Sequence, residues 1–172
     1  MKKLDQILTN FTAWEDAVNW LGVVDVETPN FEALTETIKG AGILGEANTP
    51  VIGHFGSQTV KLNWRTLTPE AAKLAKPKVH SLDFRGNQQI FDPLNGYINQ
   101  EVVVKTRCVP VNFNPIKLGV GVSTETSNEF EAHYIKIMID GKTYIEYDKF
   151  NYVYIVDGVD VMEEVRKNLG LS

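Results

Sequence analysis

The segment EFEAHYIKIMIDGKTYIEYDKFNYVYIVDGVDVMEEVRKNLGLS, residues 129–172, decides the fold class. Glu129 to Ile139 alternates as a strand does, with Ile135, Ile137 and Ile139 on one face. Asp140-Gly141 follows, a pair that suits a two-residue hairpin turn because both central residues there need positive φ. Lys142 to Asp148 reads as the returning strand, and Tyr152 to Val156 as a further β-branched and aromatic strand. After Val156 the period changes. Asp157 is placed to cap a helix with Asp160 at its third position, both carboxylates facing the positive end of the helix dipole. Val161, Met162, Val165 and Leu169 share one stripe, and Glu163 and Lys167 are spaced for an ion pair. Gly170 is expected to end the helix in the left-handed conformation.

The totals describe an ordinary water-soluble chain. Its 172 residues suit one domain, 1–172, able to bury about 70% of the surface of its unfolded form. Net charge is −5 with no basic cluster, which argues against binding through phosphate neutralisation. One cysteine, Cys108, excludes an internal disulfide. Asp5 and Gln6 interrupt any apolar start, so neither a signal peptide nor a membrane span is expected, and synthesis in the cytoplasm is.

Upstream, Trp20 to Thr28 reads as a strand stopped by Pro29. Phe31, Leu34 and Ile38 have helical spacing, against Thr35 and Thr37, which favour extended chain; the residues alone lean to helix. Gly40 to Gly56 is punctuated by Gly42, Gly45, Pro50 and Gly53 and reads as loop. Ser57 to Thr66 alternates Val60, Leu62 and Trp64 against Lys61, Asn63 and Arg65, a half-buried strand. Thr68-Pro69-Glu70 opens a short helix that ends before Pro77. Val79 to Phe84 and Gly96 to Val109 read as strands, and Pro110 to Gly121 as loop or edge because Pro110 and Pro115 cannot donate to a ladder. The sum is an all-β or β-rich α+β domain.

No set of residues assembles into chemistry. Gly40-x-Gly42-x-x-Gly45 matches the dinucleotide fingerprint in letters, but Asn48-Thr-Pro50 blocks the helix that must follow, and Arg65 stands where an acid should hold the ribose. His54, His80 and His133 lack the spacing of metal ligands. Cys108 sits in a valine-rich strand as a small core residue. Glu125, Glu129 and Glu131 stand among Ser, Thr and Asn, like a solvated strand entry. A catalytic site, a metal and a cofactor are therefore not expected. The many strands leave edges that must be closed, blunted or paired with neighbours, and pairing between identical chains makes a ring or a filament.

In Tyr134-Ile-Lys-Ile-Met-Ile-Asp-Gly-Lys-Thr-Tyr-Ile-Glu-Tyr-Asp148, then Val156-Asp-Gly-Val-Asp160 and Arg166-Lys-Asn-Leu-Gly-Leu171, the chain resembles the major tail tube proteins of contractile-tailed phages and related phage-tail-like bacteriocins. Leu8-Thr-Asn10, Pro29, Gly40 to Gly45, Gly56 and Phe84-Arg-Gly86 extend the resemblance over nearly the whole chain. The chain departs from that pattern at Gly40-Ala-Gly42, where the family commonly has Gly-Gly-Met. It departs again at Trp14-Glu-Asp-Ala, where an Asp-Gly turn is usual.

The resemblance implies a mainly β fold, a β-sandwich or partial barrel with long hairpins, a short flanking helix and a C-terminal helix. It implies hexameric rings of self, stacked into a hollow tube inside a contractile sheath, with strands joining edge to edge into one inner barrel. Asn30 to Lys39 should then be extended, in a hairpin whose return strand lies near Ser57 to Arg65. Implied partners are the sheath protein, baseplate or tube-initiator proteins and a tape measure protein in the lumen during assembly. DNA in a phage, or ions in a bacteriocin, pass without specific binding, and the particle is assembled in the bacterial cytoplasm. On this reading Glu32 and Glu36 face the lumen, with Glu101 to Val109 a second lumen candidate. Gly40, Gly42, Gly45, Pro50, Gly53 and Gly56 form a contact between rings, and Asp140, Gly141, Asp157, Gly158, Asp160 and Gly170 are turn and cap groups. The competing expectations are the tube of a related injection or secretion system and a β-sandwich binding module.

Overall fold

The computed structural model describes residues 3–171; Met1, Lys2 and Ser172 lie outside them. In chain order the elements are β1 (Leu4–Glu15), β2 (Asn19–Leu21), β3 (Val23–Glu27), β4 (Ala33–Lys39), β5 (Glu46–Phe55) and β6 (Thr59–Trp64). After α1 (Pro69–Lys73) come β7 (His80–Asp92), β8 (Gly96–Asn114), β9 (Ser127–Ile139) and β10 (Lys142–Asp148). β11 (Val153–Val156), β12 (Val159–Asp160) and α2 (Glu163–Asn168) end the described chain. Strand dominates and the two helices are short, so the fold is mainly β, as expected.

The long sheet runs β12-β11-β10-β9-β8-β7-β1-β2, every neighbour antiparallel. The second half of β9 pairs with β10, while its first half, Ser127 to Glu131, pairs with β6, which in turn pairs with β3. Two irregularities let β8 follow β9 away from the sheet, between Arg107 and Cys108 and between Pro110 and Asn112. The sheet thereby folds a second layer, β3-β6, over its own inner face. Pro110 lies beyond the last β7–β8 pair, His80↔Cys108, where β8 has β9 on one side alone. A residue without an N–H is tolerated there.

Ala13, Leu21, Leu82, Phe84, Cys108 and Ile135 meet Val60, Leu62, Trp64 and Phe130 between the layers, with Ala71 and Leu74 from the α1 region in the same core. Val60, Leu62 and Trp64 point inward, as the alternation predicts. Thr68 caps α1, its hydroxyl accepting the Ala71 N–H at 3.2 Å. Both polar ends of buried Asn128 are bonded: it accepts from Trp64 Nε1 at 2.8 Å and donates to the Ala71 carbonyl at 3.0 Å. The Cys108 thiol is pushed up to about 12, chiefly by burial. This is the inert core cysteine expected from its setting.

Four sequence expectations are corrected. Trp20 to Thr28 is two strands, broken at Gly22, with β2 on β1 and β3 on β6. The helical spacing of residues 31–38 is overridden, since β4 is a strand; its partner, however, is β5 and not Ser57 to Arg65. Gly40 to Gly56 is not a loop but a hairpin tip followed by the whole of β5. Finally, Asp157 is no helix cap. Asp157 and Gly158, at φ +47° and +82°, form a second tight turn between β11 and β12, and α2 starts at Glu163.

The C-terminal core candidates divide accordingly. Ile135 is buried and Ile137 packs on the core, whereas Met162 is the buried member of the helix stripe and Val161 and Leu169 are exposed. The Glu163–Lys167 pair does not form. Arg166 pairs with Asp160 instead and donates to the Tyr152 carbonyl at 2.7 Å. Gly170, at φ +69°, closes α2 as expected, with Gly170 N–H on the Lys167 carbonyl and Leu171 N–H on the Arg166 carbonyl.

Candidate functional site

The groups that might have formed an active centre lie apart. His80 is buried, with Nδ1 at 2.7 Å from the Glu15 carboxylate and Nε2 at 3.0 Å from the Lys76 carbonyl, so it ties β1, β7 and the end of α1 together. Glu125 pairs with Lys117, Glu129 accepts from Asn112, and Glu131 accepts from Ser57, the Gln58 N–H and Lys149. Burial opposes ionisation of Glu131, but its bonds from Lys149 and Ser57 outweigh that and hold the carboxyl below its ordinary range. Among the described residues no group of three or more His, Cys, Asp or Glu could hold a metal. Gly40, Gly42 and Gly45 carry positive φ at the β4–β5 tip and lead into a strand, so the geometry of a dinucleotide loop is lacking.

What the fold does present is three stretches of open surface. The first is an arm. Beyond Gly86 and Val102, strands β1, β7 and β8 continue to Leu4, Asp92 and Gly96 without a second layer, and every β1 residue from Leu4 to Asn10 is exposed. Side chains hold the arm together: Asn87 Nδ2 donates to Thr9 at 2.7 Å and Asn99 at 3.0 Å, and Gln89 donates to Gln6 at 2.7 Å. Among the described residues, no strand pairs with the outer side of β1 from Leu4 to Thr12, nor with β8 from Gly96 to Glu101. Neither edge carries a proline or a lysine; β1 is blunted only by irregularities at Asp5/Ile7 and Leu8/Asn10, and β8 only at Glu101, whose N–H and carbonyl bond Asp140.

The second is the sheet face turned away from the core. Register places Asp83, Lys105, Lys136 and Glu146 in one row across it, with Arg107 and Tyr134, then Arg85, then Glu101, Asn87 and Asn99 in neighbouring rows. Asp83 lies 3.9 Å from both Arg85 and Lys105, Lys136 3.6 Å from Glu146, and the Arg107 guanidinium 5.0 Å from the Tyr134 ring centre. Burial and a bond to Glu146 push the Tyr134 hydroxyl up to about 12, so it stays a neutral donor. Charges of both signs share this face with Val103 and Met138, which fill the row of Arg85.

The third is the β4–β5 hairpin, a separate two-stranded sheet. Its root is an aromatic cluster: Phe31 and Phe55 pack edge-on at 5.3 Å, and Phe55 meets Tyr147 at 5.4 Å and Tyr154 at 5.0 Å, on the core side of β10 and β11. Near the root the register jumps from Ala33↔Phe55 to Thr35↔Pro50, so Val51 to His54 bulge. Gly53 sits in that bulge at φ +70°, directly against Met162. Pro50 lies within β5, and Gly56 follows it, donating its N–H to the Glu32 carbonyl at 3.0 Å. Glu36 is on β4, whereas Glu32 precedes it, so strand alternation does not link the two.

A profile described as phage tail tube protein FII matches residues 5–170. The chain belongs to that family. It is also 26% identical to the tail tube protein of Escherichia phage P2 over 152 residues, which cover 85% of this chain and 86% of that protein. In this tail tube protein the turn groups that carried the resemblance also have structural work beyond their turns. Asp140 and Gly141, at φ +47° and +77°, make the β9–β10 turn, and Asp140 also bonds the Glu101 N–H at 3.0 Å and Gln100 at 3.1 Å. Asp157 binds Lys142 at 2.6 Å, and Asp160 accepts the Met162 N–H at 3.0 Å and clasps Arg166. Of the arm, the β8 part, Gly96 to Glu101, is legible in the sequence; β1 and the outer half of β7 are not, because Asn and Gln residues there break any hydrophobic period.

Proposed function

We propose that the chain forms the inner tube of a contractile phage tail or phage-tail-like bacteriocin, as a purely structural subunit. Six copies close a ring, rings stack into a hollow tube, and contraction of the surrounding sheath drives that tube through a cell envelope. The observation that carries this reading is the pair of strand edges left unpaired on opposite sides of one arm, Leu4 to Thr12 of β1 and Gly96 to Gln100 of β8. Two different edges cannot satisfy each other by twofold pairing. They favour head-to-tail joints, which close as a ring when the rotation between neighbours allows it. Each joint removes an edge that would otherwise recruit chains at random.

In this tube the charged free face, with Glu101, Lys105 and Arg107, lines the lumen. Its mixed signs would neither trap nor strongly repel DNA. The β4–β5 hairpin springs from the core side of β10 and β11, the opposite side of the sheet, so it lies towards other subunits and the sheath. Gly40, Gly42, Gly45, Pro50, Gly53 and Gly56 then belong to a contact between rings. Glu32 and Glu36 as lumen residues are the competing placement, because hairpin and free face cannot both turn inward. The sheath, a tube initiator and a tape measure protein are the partners proposed.

Negative-stain microscopy of the purified protein tests the function. Hollow rods of uniform width are expected, and small particles under all assembly conditions would overturn it. Within rods, cysteines at Lys105 and at Glu36 distinguish the two lumen placements. A bulky maleimide too large for the tube ends should label Glu36→Cys and spare Lys105→Cys; the reverse pattern would favour Glu32 and Glu36.

A further inference from the structure

We propose that Leu44, at the tip of the β4–β5 hairpin, inserts into an apolar pocket of an adjacent copy of the chain. The pocket is lined by Leu8, Phe11, Val26, Phe84, Val102 and Val104, at the root of the arm. The inference rests on the tube reading and names the surface that receives the hairpin.

The pocket is a cavity of about 270 Å³ between the arm and β3. Its lining carries one charge, Asp25, and that carboxylate already accepts from Asn63 Nδ2 at 2.6 Å. Gly86 belongs to the floor; a Cβ there would stand 2.9 Å from a Leu8 methyl. The hairpin tip matches it in chemistry. Lys39 and Glu46 pair with each other at 3.7 Å, and between them Gly40-Ala-Gly-Ile-Leu-Gly45 is uncharged, with Leu44 fully exposed and Ile43 beside it. Gly42 and Gly45, both at positive φ, let the chain present Leu44 outward. An isolated two-stranded hairpin with apolar residues on open faces is marginal in water and gains by docking.

Reach excludes the chain's own tip, so a Leu44 that fills the pocket comes from a second copy. The pocket rim at Thr28 is three residues from Phe31 at the hairpin root, at most about 10 Å of extended chain. The seven residues of β4 carry the tip about 24 Å from that root. A straight hairpin therefore cannot turn its own tip into its own pocket. A knob and a hole on different parts of one chain make a heterologous contact, the kind that propagates around a ring or along a stack.

The test uses the full chain with Leu44→Cys and Thr28→Cys, treated with a short bis-maleimide. Cys108 is buried and stays silent. Crosslinked dimers and longer multimers are expected, with neither single variant giving them. Crosslinked dimers from Leu44→Cys alone, which would mean that tips meet tips, or no multimers from the double variant in preparations containing visible tubes, would overturn the proposal. Leu44→Asp should leave monomer melting unchanged and raise the concentration needed for tubes at least about tenfold; unchanged assembly would also overturn it. Crosslinked multimers from protein that never forms tubes would leave the pocket contact standing and overturn the tube reading instead.

Discussion

Gly53→Ala would test how the hairpin is fixed to the body of the subunit. Gly53 has φ +70°, where an L-residue costs about 1–2 kcal/mol. Its added Cβ would lie 2.3 Å from Met162 Sδ and 3.1 Å from Met162 Cγ, and Met162 is buried under the hairpin root. The thioether can shift, but only by pushing into a packed site, for a further ~1–3 kcal/mol. Together the two terms give a loss of about 2–5 kcal/mol. Urea unfolding of the monomer, followed by tryptophan fluorescence, measures it. Met162→Ala supplies the control: the double variant should recover the clash term and leave the strain term, giving a coupling of ~1 kcal/mol or more. A loss under about 0.5 kcal/mol, or strict additivity of the two changes, would refute the claim that Gly53 and Met162 lock hairpin to C-terminal unit.

Three further outcomes follow from the geometry. Ala17 stands at φ +56° in the first hairpin turn, a conformation that glycine adopts at no steric cost, so Ala17→Gly should stabilise the monomer by about 1 kcal/mol; a destabilised variant on thermal melting would contradict this. Asp160 is held below its ordinary value of 3.8, first by its bond to Arg166, and Glu131 also titrates low, so their stabilisation is present above the unfolded values and fades as pH falls through the folded ones. The melting temperature should therefore drop from pH 5 towards pH 3, and less steeply in Asp160→Asn, Glu131→Gln; identical slopes would count against both clasps. Cys108, with its thiol near 12 through burial, should resist a thiol reagent in the folded chain and react only as fast as the core opens. Immediate labelling at neutral pH would mean that the strand is not buried.

The sequence was most legible where one face of a strand is buried. Ile135, Val60, Leu62 and Trp64 alternate because each second residue enters the core, and Asp140-Gly141 and Thr68-Pro69 carry their turn and cap chemistry locally. It was least legible where neither face is covered. The outer parts of β1 and β7 carry Gln6, Thr9, Asn10, Asn87, Gln88 and Gln89 with no apolar period, so neither β1 nor β7 beyond Phe84 reads as a strand, although the β8 part of the arm does, from Gly96. Asp157-Gly158 suits a helix cap and a tight turn equally, and the β11–β12 pairing, a tertiary matter, selects the turn. Pro50 and Gly53 disguised β5 as loop, since the bulge that accommodates Gly53 exists to seat Met162, which is distant in the chain. The assembly surfaces were legible only as a need for partners, because the groups that complete them belong to other copies.

Helical reconstruction of assembled tubes by electron cryomicroscopy tests the central claim most directly, because it shows which face of the subunit lines the lumen. The account predicts Glu101, Lys105 and Arg107 on the inner wall, with β1 of each subunit joined to its neighbour. An inner wall made by the β4–β5 hairpin, with Glu32 and Glu36 on the lumen, would contradict it.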